Sequence, residues 1–256
     1  MKILGIDSSG LVASVAVAED GILLGEYTTN YKKTHSQTLL PMLDELKKMI
    51  ELDLQTVDAI AISAGPGSFT GLRIGSATAK GLGLALNKPL IEVPTLEGLA
   101  YNLYSCTSLV CPIMDARRNQ VYTGIYEFVE EDCGAFSKPG ELADAAQARE
   151  HAYALRPVME QTAMDVRDLL NELERLNRKV VFLGDGVAVY QEVIRRECPV
   201  PFSFAPAHMN AQRAGSVAAL GEVYFAQGKA VPAEAHQPEY LRKSQAEREK
   251  EERRQD

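Results

Sequence analysis

The glycine-rich segment 65–71, GPGSFTG, has the residue types of a ligand-binding loop and stands between a predicted strand and a predicted helix. It lacks the glycine spacing and the Gly-Lys-Ser/Thr ending of a Walker A phosphate loop. Thr70 replaces the third glycine of a dinucleotide fingerprint, and Ser68 lacks the Gly-x-Ser-x-Gly frame of a nucleophile elbow. Such a turn can still bind an anion at the N-terminus of the helix. A tight turn that brings the helix close to its sheet is an equally good interpretation.

Other groups that could do catalytic or metal chemistry are few. No two of the four histidines stand three or four residues apart, which excludes a metal pair on one helix: His35, His151, His208 and His236. The four cysteines include no Cys-x-x-Cys pair, so we interpret them as reduced structural thiols. A Ser-His-Asp triad stays open, although no elbow supports one. Arg117-Arg118 and Arg195-Arg196 could clamp a phosphate, but exposed arginines more often only solvate a surface. We predict no catalytic residue and no metal site.

The composition is that of a globular protein, because 46% of the 256 residues are hydrophobic and 24% are charged. The formal net charge of −8 argues against a protein that binds nucleic acid by itself, since such proteins depend on clustered Lys and Arg. No signal peptide and no apolar stretch of about 18 residues is present, so we expect a cytoplasmic protein without a membrane segment.

From Arg242 onward, acids and bases alternate without a large apolar residue. We expect this tail, 242–256, to be a frayed helix or disordered.

Hydrophobic periodicity and turn residues predict the elements that would position these groups. The first half is predicted to contain strands 2–7, 11–18 and 21–28, an amphipathic helix 34–50, a strand 57–63, a helix 71–86, a strand 89–93 and a helix from Thr95. The second half is predicted to contain strands 108–114 and 120–128, an irregular stretch 130–160, a helix 162–177, a strand 179–183, a helix ending near Arg196, a loop or edge strand 198–206 and a helix 211–227.

The two halves repeat one order of elements. Each opens with a strand that ends in an aspartate, Asp7 or Asp115, followed by a tight turn and a returning strand. Each later has a buried strand that runs into a Gly-x-Gly turn and a helix. Repeated order indicates duplication, although such turns are common in any α/β protein. We predict an α/β fold that resembles the actin-like (ASKHA, RNase H-like) class, with tandem subdomains 1–107 and 108–210 and the helix at about 211–228 packing back on the first.

The resemblance to the actin-like class implies a cleft between the halves. In that class the strand–turn–strand corners face the cleft, their backbone amides approach phosphates, and the aspartates position a metal or water. A relic nucleotide cleft here would be formed by Asp7, Ser8, Asp115, Gly184, Asp185 and Gly186.

Helix 71–86 has two stripes of small residues at four-residue spacing: Gly71, Gly75, Ala79 and Gly83, and Ala77, Gly81 and Ala85. Each interior glycine costs about 1 kcal/mol relative to alanine, and close backbone approach usually compensates. One stripe can pack on the parent sheet, and the second leaves room for another helix or another chain. The alternative is an unusually tight internal helix pair. The predicted partner surface on helices 34–50 and 71–86 comprises His35, Leu39, Leu43, Leu46, Ile50, Gly71, Arg73, Ile74, Gly75, Thr78, Gly81 and Leu82.

Six segments together resemble the bacterial TsaB (YeaZ) family of tRNA threonylcarbamoyladenosine biosynthesis proteins. They are ILGIDSS at 3–9, HSQTLLPML at 35–43, GPGSFTGLRIG at 65–75, GLGLALNKPLIEVPTLEGLA at 81–100, MDARRNQVY at 114–122 and PEYLR at 238–242. That family is similar to TsaD, whose metal-binding motif is His-Leu-Glu-Gly-His. The matching segment here is Thr95-Leu96-Glu97-Gly98-Leu99, so both histidines are replaced by groups that bind a transition metal poorly.

The resemblance implies a non-catalytic subunit that docks on TsaD through its two N-terminal helices. It also implies that the ATPase TsaE joins the pair, that tRNA lies mainly on the partner, and that homodimers form through the same surface when TsaD is absent. No cofactor is implied, and ATP binding would be weak or absent. Two rival hypotheses are an ATP-dependent phosphotransferase of the actin-like fold and a metal-dependent peptidase.

Overall fold

Two mixed β-sheets flanked by helices form the protein in a computed structural model that describes residues 1–31, 34–132 and 151–242. The first half forms β1 (Lys2–Asp7), β2 (Ala13–Glu19), β3 (Ile22–Thr29), α1 (His35–Met49), β4 (Ala59–Gly65), α2 (Phe69–Leu86), β5 (Leu90–Pro94) and α3 (Thr95–Ala100). The second half forms β6 (Leu109–Asp115), β7 (Gln120–Asp132), β8 (His151–Asp165), α4 (Val166–Leu176), β9 (Val180–Leu183), α5 (Gly186–Glu197), β10 (Phe202–Phe204), α6 (Ala214–Ala226) and β11 (Ala230–Val231).

Both sheets repeat the same core arrangement. The first has the strand order β11-β5-β4-β1-β2-β3, and the second has the order β10-β9-β6-β7-β8. In each, an antiparallel pair (β1 with β2, β6 with β7) adjoins a parallel strand, β4 or β9. The predicted duplicated α/β class is therefore confirmed. The subdomain boundaries stay a prediction.

Helix α1 has its apolar face on the first sheet. Leu39, Met42, Leu43 and Leu46 recur at helical spacing and are buried in one cluster with residues of β1, β2 and β4. Helix α2 begins where the Ser68 hydroxyl accepts a hydrogen bond from the Gly71 amide at 3.3 Å. It ends at Asn87, which adopts the left-handed conformation that closes many helices. Both helices agree with the predicted ranges.

The region predicted to be irregular contains a long hairpin. β7 and β8 pair antiparallel from Gln120–Asp165 to Asp132–His151, so the prediction for 130–160 is wrong at both ends, and 133–150 lies outside the described residues. The predicted helix 162–177 begins only at Val166, after the Asp165 side chain accepts a hydrogen bond from Arg167 N. Pro157 and two register shifts interrupt the alternation that would have revealed β8. An edge strand tolerates both features.

Helix α6 returns to the first sheet from the far end of the chain. Val217, Ala218 and Leu220 are buried with Ile3 and Ile91 of that sheet. The approach is close, since a Cβ at Gly221 would lie 2.7 Å from the Ala61 Cβ atom. β11 then extends the same sheet beside β5. The predicted tail beyond residue 242 lies outside the described residues. Within the described part of the chain, no helix is both long enough and apolar enough to span a bilayer.

Candidate functional site

A cavity of about 890 Å³ lies between the two halves of the molecule. The β1–β2 turn, the start of α1 and the loop before α2 line it from the first half. The β6–β7 corner and the start of α5 line it from the second half. The chain segment 239–242 completes the lining. The cavity therefore lies where the actin-like resemblance predicts a cleft.

Asp7, the first strand-terminal aspartate, is buried rather than exposed in this cleft. Only 2% of the residue is accessible, and its carboxylate accepts hydrogen bonds from Ser9 N at 2.8 Å, Ser9 Oγ at 2.7 Å and Ser63 Oγ at 2.5 Å. Burial raises the pKa of the Asp7 carboxyl above its ordinary value. Ser8 is equally buried and donates through its Oγ to Gly71 O at 2.8 Å. Both side chains thus connect the β1–β2 corner to neighbouring elements.

The loop before α2 is a tight turn. Gly65 has a φ of +130°, which favours glycine, and a Cβ at Gly67 would lie 2.3 Å from Ser9 O. Ser68 N donates to the same Ser9 carbonyl at 2.6 Å, and the Gly71 amide is bonded to the Ser68 side chain. Because these two amides already have partners within the chain, the geometry favours the tight-turn interpretation over an anion site.

The corner in the second half lines the cavity with Asp115 and Asp185. Asp115 N donates to Asp185 Oδ1 at 3.2 Å, and the Asp115 carboxylate accepts from Arg117 N at 2.8 Å. Burial raises the pKa of Asp185. Gly184 and Gly186 serve packing, since a Cβ there would lie 2.2 Å and 2.9 Å from Ile113 O.

Three of the four paired arginines, Arg117, Arg195 and Arg196, have partners within the protein. Arg117 lies at the cavity beside Asp115, at 3.4 Å. Arg195 lies over the Phe204 ring, and Arg196 pairs with Glu197.

Segment 95–99, which the resemblance places opposite a metal-binding motif of TsaD, is packed inside the protein. Thr95 is fully buried, and its hydroxyl accepts a hydrogen bond from Gly65 N at 3.2 Å. Leu99 is 1% exposed in an apolar cluster with residues of β6, β7 and β9. Glu97 accepts a hydrogen bond from Tyr224 OH, and burial raises its pKa. These residues do not fit a metal ion, and the described residues contain no group of three His, Cys, Asp or Glu placed to hold one.

Five of the twelve residues of the predicted partner surface are buried in this structure. Leu39, Leu43 and Leu46 are between 2% and 4% exposed because they form the core-facing side of α1. Gly71 and Gly75 are also buried, since a Cβ at these positions would lie 2.1 Å from Ser8 O and 2.3 Å from Ser8 Oγ. None of these five residues is accessible to a partner in this conformation.

The rest of the predicted surface remains accessible to different degrees. His35 lies at the cavity, with Nε2 hydrogen-bonded to Gly10 O at 2.9 Å. Three members are half-buried against the apolar cluster that α1 forms with the first sheet: Ile50, Ile74 and Leu82. Three further members of the predicted set are exposed or half-buried on α2: Arg73, Thr78 and Gly81.

The second small-residue stripe of α2 faces solvent. Ala77, Gly81 and Ala85 are exposed, and a Cβ at Gly81 would have no atom within 4 Å. Leu84 adds an apolar side chain that is 59% exposed. We call Ala77, Gly81, Leu84 and Ala85 the outer face of α2. The two stripes therefore have different environments, as the sequence predicts.

Sequence reasoning did not identify a hydrogen-bonded chain of Ser76, His236 and Glu92. His236 Nε2 lies 2.9 Å from Ser76 Oγ, and Nδ1 lies 2.6 Å from Glu92 Oε1. This order resembles a hydrolytic triad, but Ser76 is 5% exposed, His236 is 1% exposed, and neither lines the cavity. These hydrogen bonds therefore anchor the segment around His236 to α2 and β5. The residues lie far apart in sequence, which left no pattern to find.

Comparisons with known proteins agree with this structure. Residues 23–250 match the sequence model of the family described as TsaD, tRNA N6-adenosine threonylcarbamoyltransferase. The TsaB proteins of Bacillus subtilis (strain 168) and Escherichia coli (strain K12), both described as tRNA threonylcarbamoyladenosine biosynthesis proteins, are 32% and 28% identical. Each alignment covers 96% of this chain and 96% of the relative. The crystallised YeaZ from Pseudomonas aeruginosa is 26% identical, with a TM-score of 0.72 over 94% of this chain and all of that one. The chain belongs to the TsaB (YeaZ) family of tRNA threonylcarbamoyladenosine biosynthesis proteins.

Proposed function

We propose that this protein is a non-catalytic subunit of the tRNA threonylcarbamoyladenosine system that binds and supports the catalytic TsaD subunit. The observation that carries the proposal is the packing of Thr95 and Leu99. These residues stand where the TsaD motif has its metal-binding histidines, and both are buried in contacts within the protein. A hydroxyl bonded to Gly65 N and an aliphatic side chain in an apolar cluster supply no metal ligand.

The outer face of α2 is the surface that we assign to TsaD. A second helix can approach Ala77, Gly81 and Ala85 closely because these residues have little or no side chain, and Leu84 offers apolar area. Leu40 on α1, which packs beside α2, is 53% exposed, and we assign it to the same partner. We assign the same face to the homodimer that forms when TsaD is absent. The second copy and TsaD would therefore compete for one surface.

The wider assembly follows from the same assignment. TsaE joins through the complex with TsaD, and tRNA contacts this chain only indirectly, in keeping with its formal net charge of −8. The protein works in the cytoplasm and uses no cofactor. It supports transfer of the threonylcarbamoyl group to the adenosine next to the anticodon without contributing a reacting group.

A binding experiment with a matched pair of variants tests the surface. Ala77→Arg places a long charged side chain on the outer face of α2. Ala226→Arg makes the same change at an exposed position near the end of α6. We expect Ala77→Arg to lose TsaD binding in a pull-down and Ala226→Arg to keep it. Normal binding by Ala77→Arg would refute the surface, and failure of the unmodified protein to bind TsaD would refute the function.

Reconstitution tests the role itself. When this chain alone is omitted from a mixture of TsaD, TsaE, tRNA and threonylcarbamoyl-adenylate, we expect formation of the modified adenosine to stop. Undiminished modification would contradict the proposal.

A further inference from the structure

The segment 238–242, PEYLR, crosses between the two halves of the molecule at the cavity. Glu239 N donates to Ala64 O at 2.7 Å, which joins the segment to the end of β4. Glu239 Oε2 accepts a hydrogen bond from Gln161 Nε2 of β8 at 2.7 Å. One residue of the segment is thus bonded to both sheets.

The next residues repeat this double attachment. The Tyr240 ring lies 4.5 Å from the Phe69 ring at the start of α2, and the Arg73 guanidinium lies 4.0 Å above Phe69. Arg242 donates to Ala116 O of the β6–β7 corner at 2.5 Å. The segment therefore has a backbone hydrogen bond and an aromatic contact to the first half, and side-chain hydrogen bonds to the second.

The residues just before the segment are bonded to the first half. His236 is buried and bonded to Glu92 and Ser76, and Lys80 Nζ donates to the His236 and Glu234 carbonyls at 3.1 Å and 3.0 Å. The backbone also runs very close to the turn after β4, because a Cβ at Gly65 would lie 2.2 Å from Glu239 O. This end is fixed to the first half before the chain crosses the cavity.

Apart from this segment, an apolar cluster joins the halves. Leu96 and Leu99 of α3 pack with Val110, Met114 and Leu183 of the second sheet, and Met114 also lines the cavity. Packing of this kind holds two bodies together but permits small rotations about the contact. Two hydrogen bonds at a separate place, from Gln161 and Arg242, would resist such rotation.

We propose that residues 238–242 are a strap that fixes the relative orientation of the two halves and thereby sets the width of the cleft. The strap is bonded firmly to the first half and reversibly to the second, so its release lets the β6–β7 corner move away from the loop before α2. The strap does not depend on which partner binds the outer face of α2.

Hydrogen exchange of the full-length protein tests the strap. Arg242→Ala removes the bond to Ala116, and Tyr240→Ala removes the contact with Phe69. We expect amides 115–120 to exchange about tenfold faster in both variants, since a hydrogen bond from a charged group that closes a local opening is worth roughly that factor. Arg178→Ala, which removes an exposed ion pair with Glu127 on another surface, is the control and should leave this peptide unchanged.

A second variant separates the strap from general destabilisation. Arg242→Lys keeps a cationic donor and should return the exchange of 115–120 most of the way to that of the unmodified protein. Unchanged exchange of 115–120 in Arg242→Ala and Tyr240→Ala would overturn the proposal. Equal acceleration throughout β1 and β9 would also overturn it, because the segment would then contribute only to global stability.

Discussion

Gly75 and Gly81 lie on the same helix but have opposite surroundings. These surroundings determine how a substitution at each position should change the stability of the protein. At Gly75 an added methyl group would meet Ser8 Oγ, whereas at Gly81 it would meet open space. We expect Gly75→Ala to lower the free energy of unfolding by about 1–3 kcal/mol through overpacking. Gly81→Ala should raise it by up to about 1 kcal/mol because alanine favours the helix. Chemical denaturation of both variants checks this, and a stabilised Gly75→Ala would contradict the assigned packing.

The buried Asp7 gives stability a dependence on pH. Its pKa is raised by burial from an ordinary value of 3.8, so the folded state holds the proton more tightly than the unfolded state. The contribution of Asp7 to stability is therefore full below the ordinary value and is lost as pH rises through the raised pKa. Denaturation of the unmodified protein and of Asp7→Asn between about pH 4 and 8 tests this. As pH rises, the unmodified protein should lose free energy of unfolding relative to Asp7→Asn. A difference between the two proteins that stays constant with pH would contradict this expectation.

Introducing histidines at Thr95 and Leu99 should not create a metal site. Thr95 is 0% exposed and Leu99 is 1% exposed, so Thr95→His/Leu99→His would bury two larger, polar imidazoles. We expect a loss of several kcal/mol of stability, as for other buried polar groups without partners. Metal analysis of the folded double variant should find no stoichiometric zinc or iron, and about one bound ion per chain would refute this reading.

At the scale of elements, α1 has a sharply divided surface. Leu43 is 4% exposed and Leu40 is 53% exposed, although both are leucines on one helix. We expect Leu43→Ala to cost about 2–5 kcal/mol, as in other buried leucine truncations. Leu40→Ala should change stability by less than about 1 kcal/mol and instead weaken binding of TsaD. Thermal denaturation and a binding assay on the same pair measure both effects, and equal losses of stability would contradict the assignment.

The sequence predicted elements well where periodicity was strong and poorly where it was interrupted. Helix α1 has an apolar stripe of more than three turns, so its range and its buried face follow from the pattern. The same stripe also fits a partner surface, as the sequence analysis predicts, because periodicity cannot tell a core from an interface. β8 was missed because Pro157 and the register shifts break its alternation. Only the pairing with β7, which involves residues distant in sequence, reveals that strand.

At the scale of the whole molecule, the duplicated order of strands and turns predicted the paired sheets and the cleft between them. It could not predict what fills the cleft. The strap is five residues long and has no periodicity, and its contacts connect positions as distant as Ala116 and Arg242. The pattern also could not predict that Asp7 is buried. An aspartate at the end of a strand can form hydrogen bonds within its own turn or face solvent with the same sequence.

The cleft does not present its acids as an ATP-hydrolysing site would. Asp7 is bonded to Ser9 and Ser63, and Asp115 and Asp185 are bonded within their own corner. We therefore expect the purified protein with magnesium and ATP to show no turnover above background in a phosphate-release assay. Turnover that disappears in Asp115→Asn would instead favour the phosphotransferase hypothesis.

The return of α6 and β11 to the first sheet has a consequence for synthesis on the ribosome. The second sheet is built from one continuous stretch, 109–204, whereas the first needs residues that emerge only after position 213. Folding that proceeds as the chain emerges would complete the second sheet first and leave the face of β1 and β4 that receives α6 uncovered until residues beyond 213 have emerged. A chaperone that shields apolar surface on nascent chains would therefore stay bound longer to the strands of the first sheet than to those of the second.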